Sequence, residues 1–262
     1  MFNTFPFSKV YEQTGSNILW FWLGPKKVYL VKGAQNVRPL LRVTNDFGSE
    51  AFIAGILRPL DMSSVDIAKF ASDNSGRIKR RAPWSKVPED KRVWYGLHRI
   101  YDEFMARAHY SNCMAEKYHQ TFSSRLTSQP LNQWTDISLF RLLKHEMAYS
   151  SLVSLVGTQI LSLNTDFVDQ CWEYDEVAFY HLPGPPKWWN RKPYEVFDRF
   201  NESIGRYMDS AWENFDWNGP LADSDWEEQF GSRFAREMVR WFIGSGMTMQ
   251  SARGWMCFVV FA

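Results

Sequence analysis

Residues 193–215 read PYEVFDRFNESIGRYMDSAWENF, and their spacing decides the fold class. Val196, Phe200, Ile204, Tyr207, Met208, Ala211 and Phe215 recur at intervals of three and four, with charged residues between them. That is one apolar stripe on a 3.6-residue helix. Pro193 suits the first turn, where its missing N–H would have no partner anyway. The stretch predicts one long amphipathic helix with its stripe against a core.

Helical periodicity dominates everything after Arg92. Stripes run through Leu97, Tyr101, Phe104, Met105 and Ala108, through Met114, Tyr118 and Phe122, and through Phe234, Met238, Trp241 and Phe242. SLVSLVGTQIL (151–161) is apolar on most sides and predicts a buried helix, while HLPGPPKWW (181–189) predicts a rigid proline-rich connector. Nearer the start, NILWFWLGPKKVYLVKG (17–33) sets aromatic and β-branched residues on both sides of a Gly-Pro break. This predicts a hairpin of strands Ile18–Leu23 and Lys27–Val31. Gly33 opens a short helix, AQNVRPLLRVT, which Pro39 keeps brief or irregular. Between Asp61 and Glu89 the composition turns polar and broken, so a long surface loop is predicted. The fold class expected is mainly α with a small N-terminal β-hairpin, in a single domain over 1–262: a strand-rich entry over 1–60 and a helical body over 92–262.

With 262 residues and 45% hydrophobic content, the chain can bury a substantial core. A net charge of +1 and the lack of a long single-sign tail exclude the electrostatic signature of a nucleic-acid binder. Thirteen Trp, eleven Tyr and twenty Phe suit the packing or recognition of large apolar surfaces. Cys113, Cys171 and Cys257 are scattered and odd in number, against both a disulfide framework and a CxxC metal knuckle. No stretch reaches the roughly 18 to 20 apolar residues of a membrane span, and the start lacks a signal-peptide layout. The sequence as printed therefore reads as cytoplasmic.

The sequence holds no complete catalytic constellation. His98, His109, His119, His145 and His181 form no HExxH or HxxxH pair. His109 and Cys113 lie one helical turn apart, but two ligands do not make a metal site. No nucleophile elbow, phosphate loop or dinucleotide fingerprint occurs. Glu173 and Glu176 read as an exposed acidic face. Arg77, Lys79, Arg80 and Arg81 could meet lipid headgroup phosphates or an acidic redox partner, although short charge runs in loops are usually just solvated.

Several phrases resemble the front portion of a fungal cytochrome P-450 related to sterol hydroxylases and prostacyclin synthase. FWLGPKKVYLVKGAQNVRPLLR (21–42) is similar to that family's first two strands and the following helix. The run 154–204, SLVGTQILSLNTDFVDQCWEYDEVAFYHLPGPPKWWNRKPYEVFDRFNESI, is the most specific. It resembles a small-residue helix, an N.DF step, an aromatic-acidic helix and an LP..W connector leading into a long charged helix. SARGWMCFVVFA (251–262) is similar to the entry into the central helix that crosses over the haem. The resemblance runs over nearly the whole chain.

What the resemblance implies is a monooxygenase that hydroxylates a lipophilic substrate, such as a sterol, a terpene or another secondary metabolite, with haem, dioxygen and electrons from a reductase. The family's ExxR pair and its glycine-flanked haem-ligand cysteine follow the central helix, and this reading places both beyond Ala262. The chain is therefore expected to be an amino-terminal portion, broken off within that helix, with no catalytic residue of its own, no stably held haem and no activity alone. Intact relatives sit at the endoplasmic reticulum membrane through an anchor, and the reading expects none here. The family's WxxxR on the helix beside a haem propionate meets Trp94 followed by His98, which departs from the pattern. His98 or Arg99 is then the candidate propionate donor, unless WYGLH simply starts a core helix. Phe258, Val259 and Ala262 are the candidates for the substrate pocket, against plain core packing. The other reading open at this point is a non-enzymatic helical domain that binds a lipid or a partner protein.

Overall fold

The computed structural model describes residues 12, 15–23, 26–42, 50–128, 136 and 138–261. These fall into two compact units, Met1–Ser49 and Glu50–Ala262.

In the first unit, strands β1 (Ile18–Leu23) and β2 (Lys26–Val31) pair antiparallel, with Trp20 opposite Tyr29 and Leu23 opposite Lys26. Alternation is what the pleat demands: Ile18, Trp20 and Trp22 are exposed, and Leu19 and Phe21 between them are half-buried. Lys27 Nζ lies 4.1 Å from the Trp20 ring centre and 5.1 Å from that of Tyr29, a cation–π contact over the cross-strand pair. Helix α1 (Ala34–Arg42) follows and runs through Pro39. The expected mainly helical fold with its N-terminal hairpin is thus the observed one.

The second unit is helical: α2 (Glu50–Ile56), α3 (Ser64–Ser72), α4 (Val93–Phe104), α5 (Ala108–Thr127), α6 (Leu139–Val156), α7 (Gln159–Leu163), α8 (Phe167–His181), α9 (Lys192–Asn214), α10 (Arg233–Gly244) and α11 (Met249–Phe261). A two-residue ladder, β3 (Trp226–Glu227) with β4 (Gly231–Ser232), precedes α10. The stripe on α9 is buried as its spacing predicts, led by Phe197 rather than Val196, and Phe215 is buried one residue past the helix end. No helix among the described residues is long and apolar enough to cross a membrane.

Three sequence expectations need correction. The stripe from Leu97 to Ala108 is not one helix. The N–H groups of Met105 and Ala106 both donate to Tyr101 O, α4 closes, and Ala108 starts α5 on an exposed residue. Nor is 151–161 one helix: α6 stops at Gly157, whose φ of 82° suits a residue without a Cβ. The last carbonyls of α6 find partners far along the chain, with Trp226 Nε1 donating to Val153 O (3.0 Å) and Ser232 Oγ to Leu155 O (2.7 Å). Finally, the polar stretch 61–89 is not all surface loop. It holds α3, whose buried side is Phe70 and Asp66.

The apolar run near the chain's end is α11, which threads between two aromatic clusters. Trp255 stacks on Phe70 (5.9 Å) and lies 6.2 Å from Phe242. Phe261 meets Tyr174 edge-on at 5.1 Å, and Tyr174 stacks on Phe200. Gly254 lets α11 approach the turn after α2, since a Cβ there would overlap Leu60 O.

Candidate functional site

Three helices converge on Phe70. Asp73, just past α3, accepts from Trp94 N (2.9 Å) and so satisfies an orphan donor in the first turn of α4. Trp94 Nε1 in turn donates to Phe70 O at 2.9 Å, and the two rings meet edge-on at 4.9 Å. From α11, Trp255 Nε1 donates to Tyr101 Oη on α4 at 3.0 Å. Burial pushes the Tyr101 phenol up to about 12, so it stays protonated and keeps a proton to donate.

These contacts leave a cleft of about 260 Å³ between α4 and α11. Trp94, Leu97, His98 and Tyr101 line it from α4, Trp255 and Phe258 from α11, Ile53 from α2, and Arg77 from the segment after α3. Its wall is mostly apolar and aromatic, with a guanidinium, an imidazole and a phenol as polar groups.

The segment carrying Arg77 is held by a buried arginine. Arg92 donates to Ser75 Oγ (3.1 Å), Ile78 O (2.6 Å), Lys79 O (3.0 Å) and both oxygens of Glu89 (2.9 and 3.2 Å). Residues on both sides of Arg77 are thereby fixed. Gly76, at a φ of 82°, makes the bend that its neighbours could not make without strain. Lys79, Arg80 and Arg81 stay exposed, as solvated charges do.

Of the residues singled out in the sequence, Trp94, His98 and Phe258 come together in this cleft. Trp94 is buried with its indole N–H already used by Phe70 O. His98 Nδ1 sits 3.2 Å from Asp102 Oδ1 without hydrogen-bond geometry. Arg99, the next residue on α4, is exposed, with its guanidinium 5.9 Å from the Tyr95 ring centre. Val259 is half-buried against the core. Ala262 lies outside the described residues. Arg77, Tyr101 and Ile53 were not expected in the cleft. Tyr101 at least shares the stripe of Leu97, whereas nothing local in the sequence aims Arg77.

Glu173 and Glu176 are exposed on α8, where Glu173 pairs with Arg199 of α9. His109 Nε2 lies 2.7 Å from Asp225 Oδ2. Among the described residues no three His, Cys, Asp or Glu side chains converge as metal ligands.

The chain's relatives are consistent with this architecture. It is 39% identical over 231 residues to cytochrome P450 monooxygenase calL of Penicillium decumbens, which covers 87% of this chain and 43% of that protein. It is 24% identical over 144 residues to cytochrome P450 monooxygenase efuG of Hormonema carpetanum, covering 53% and 26%. It is 22% identical over 139 residues to cytochrome P450 monooxygenase fsoE of Humicola fuscoatra, covering 53% and 24%. With these fungal homologues, the chain belongs to the cytochrome P450 family. It spans less than half the length of the curated relatives it matches. No family model matches it, and neither does any solved structure.

The cleft fits part of what haem requires. Its aromatic wall suits a porphyrin face, and the Arg77 guanidinium and His98 imidazole suit a carboxylate at the edge. The iron's axial ligand is another matter, because none of the three cysteines lines the cleft. Burial raises the Cys171 thiol to about 12 and pushes that of Cys257 higher. Burial, then Asp225 and Glu116, also raise Cys113. A ligating cysteine needs the opposite shift. ExxR spacing does occur twice within the chain, at Glu89–Arg92 and Glu237–Arg240. Both precede α11, so neither holds the place that the family resemblance gives its core-locking pair. The first anchors the Arg77 segment, and in the second Arg240 is exposed, 3.8 Å from Glu237.

Proposed function

We propose that the second unit of this chain supplies one wall of the haem and substrate cleft of a cytochrome P450 monooxygenase acting on a lipophilic substrate such as a sterol, a terpene or another secondary metabolite. The observation that carries this reading is the aromatic cleft of about 260 Å³ between α4 and α11, where Trp94, His98 and Phe258 meet. Trp94, His98 and Arg99 belong to the propionate side, with the first two inside the cleft. Phe258, Val259 and Ala262 belong to the substrate side on α11 and beyond it. Apolar side chains there exclude water and gain from burying a lipophilic ring. When bound with a cysteine thiolate, haem supplies the activation of dioxygen for insertion into a C–H bond. In this reading a reductase delivers the electrons, and intact relatives work at the endoplasmic reticulum membrane. Residues 1–262 place no thiolate in the cleft, so alone they do not oxidise substrate.

Hemin added to the purified chain tests this. Quenching of tryptophan fluorescence should saturate, because Trp94 and Trp255 line the cleft, and Phe258→Asp should weaken it. The reduced, carbon monoxide-treated sample should show no band near 450 nm. Quenching indifferent to Phe258→Asp would remove the cleft as a haem site, and a 450 nm band would overturn the assignment of inactivity.

A further inference from the structure

On another side of α11 lies a smaller cavity of about 140 Å³, which shares no lining residue with the cleft. Leu152 and Leu155 of α6, Trp172 of α8, Phe200 of α9 and Val260 and Phe261 of α11 wall it, so four helices meet round it. The aromatic walls are fixed: Phe261 is held edge-on to Tyr174, which stacks on Phe200. A dry apolar space of this size takes one six-membered ring with a short chain. Its polar groups are the half-buried Cys171 thiol and, exposed at the mouth, Ser151 and Asp175. Burial keeps Cys171 protonated, so Asp175 carries the one charge in the lining. Among the described residues this carboxylate has no hydrogen-bond or ion-pair partner, whereas Glu173, two residues earlier on α8, pairs with Arg199. Lys144, with Nζ 4.0 Å from the Trp172 ring centre, lines a neighbouring pocket and not this one.

We infer that this cavity binds a small arylalkylammonium, with its ring between Trp172, Phe200 and Phe261 and its ammonium on the Asp175 carboxylate. Burial of the ring supplies the affinity, and the carboxylate at the mouth selects the charge. An anionic ligand would meet Asp175 with like charge, and a neutral one would leave it unused. The inference does not rest on the haem cleft.

The test titrates the full chain calorimetrically with phenethylamine, protonated at pH 7, and with 2-phenylethanol, its uncharged counterpart. The amine should bind roughly two- to fivefold tighter, the margin of an exposed ion pair. Asp175→Asn, at an exposed position, should bring the amine down to the alcohol and leave the alcohol unchanged. Ala148→Phe, which fills the cavity from α6, should abolish binding of both. At about ten times its dissociation constant the amine should also slow alkylation of Cys171 roughly tenfold, read peptide by peptide, while Cys113 outside the cavity reacts as before. Should Ala148→Phe fail to fold, Asp175→Asn and the Cys171 rate decide alone. An amine that binds no tighter than the alcohol, or that ignores Asp175→Asn, overturns the ammonium assignment. Cys171 alkylation unchanged by bound amine would place the ligand elsewhere and remove the cavity as its site.

Discussion

Asp66 on α3 caps Thr248 at the start of α11, 182 residues along the chain. Asp66 Oδ2 accepts from Thr248 N (2.9 Å), Thr248 Oγ1 (2.8 Å) and Ser251 Oγ (2.7 Å), while Oδ1 pairs with Lys69 Nζ at 2.8 Å. A helix normally finds its cap in the preceding residues. Here the first turn of α11 is also held by α3, the helix whose Phe70 stacks on Trp255. The carboxylate thus fixes one wall of the cleft.

Burial alone would raise the Asp66 carboxyl, but the donors from Lys69, Thr248 and Ser251 outweigh it and hold it at about 2, below the ordinary 3.8. A carboxylate whose folded value is depressed stabilises the fold above its unfolded pKa, and that stability is lost as pH falls from about 4 toward about 2. Its size is about 2 kcal/mol at neutral pH. Asp66→Asn should lower the unfolding free energy by that amount at pH 7, and the gap should be roughly halved at pH 3. Urea titrations of both proteins at the two pH values read it directly; a gap independent of pH would contradict the cap.

Gly231 and Gly76 both have positive φ, 75° and 82°, yet they sit in different surroundings. A Cβ on Gly231 would overlap the backbone of Val156 and Gly157, while one on Gly76 would meet nothing within 4 Å. Gly76→Ala should therefore cost only the backbone strain, about 1 kcal/mol. Gly231→Ala adds a clash between two backbones and should cost more than about 3 kcal/mol. Chemical denaturation midpoints separate the two.

Much of the fold is legible because it is periodic. The α9 stripe and the alternation of Trp20, Phe21 and Trp22 can be read without any tertiary contact. What escapes the sequence depends on distant partners. The break at Gly157 rests on Trp226 and Ser232 and on Glu228, whose carbonyl accepts from Gln159 N and leaves no room for a Cβ at Gly157, all some 70 residues away. Helix α3 reads as loop because its buried side is one phenylalanine and one carboxylate, and that carboxylate's partners lie on α11. Half of the cleft follows the same division: Trp94 and His98 share one helix and can be guessed together. Arg77 reads as one more loop charge, because its neighbours Ser75, Ile78 and Lys79 are held by Arg92, itself a charged residue that composition places outside.

Arg92 should be irreplaceable even by lysine. An ammonium cannot reproduce the fork that reaches Ser75, Ile78, Lys79 and Glu89, and the carbonyls left behind are partly buried. Arg92→Lys should lose about 3 kcal/mol, in the range for breaking a buried charged network. It should also release the 75–89 segment, so limited trypsin cuts the exposed Arg80 and Arg81 roughly tenfold faster or more. Cleavage unchanged from the parent protein would mean that the segment is held by something else.

His181 should set the acid limit of the α8–α9 pair. It is fully buried, stacked on Phe197 at 4.4 Å, with Nδ1 3.1 Å from Tyr174 Oη and Nε2 without a partner. Burial lowers its pKa to about 4 and outweighs the Asp198 charge, which acts in the opposite sense. Here the folded value lies below the unfolded 6.5, the reverse of a histidine that gains an anionic partner. The folded state refuses a proton that the unfolded chain accepts, so stability is full above pH 6.5 and falls as pH drops toward 4. The loss from this group is about 3 kcal/mol. His181→Gln removes the titration along with the ring stacking. The variant should be less stable at pH 7, yet its stability should decline less between pH 6.5 and 4 than that of the parent protein. Equal slopes in that window would show that His181 is charged in the folded state, with the buried Nε2 paired to an acceptor.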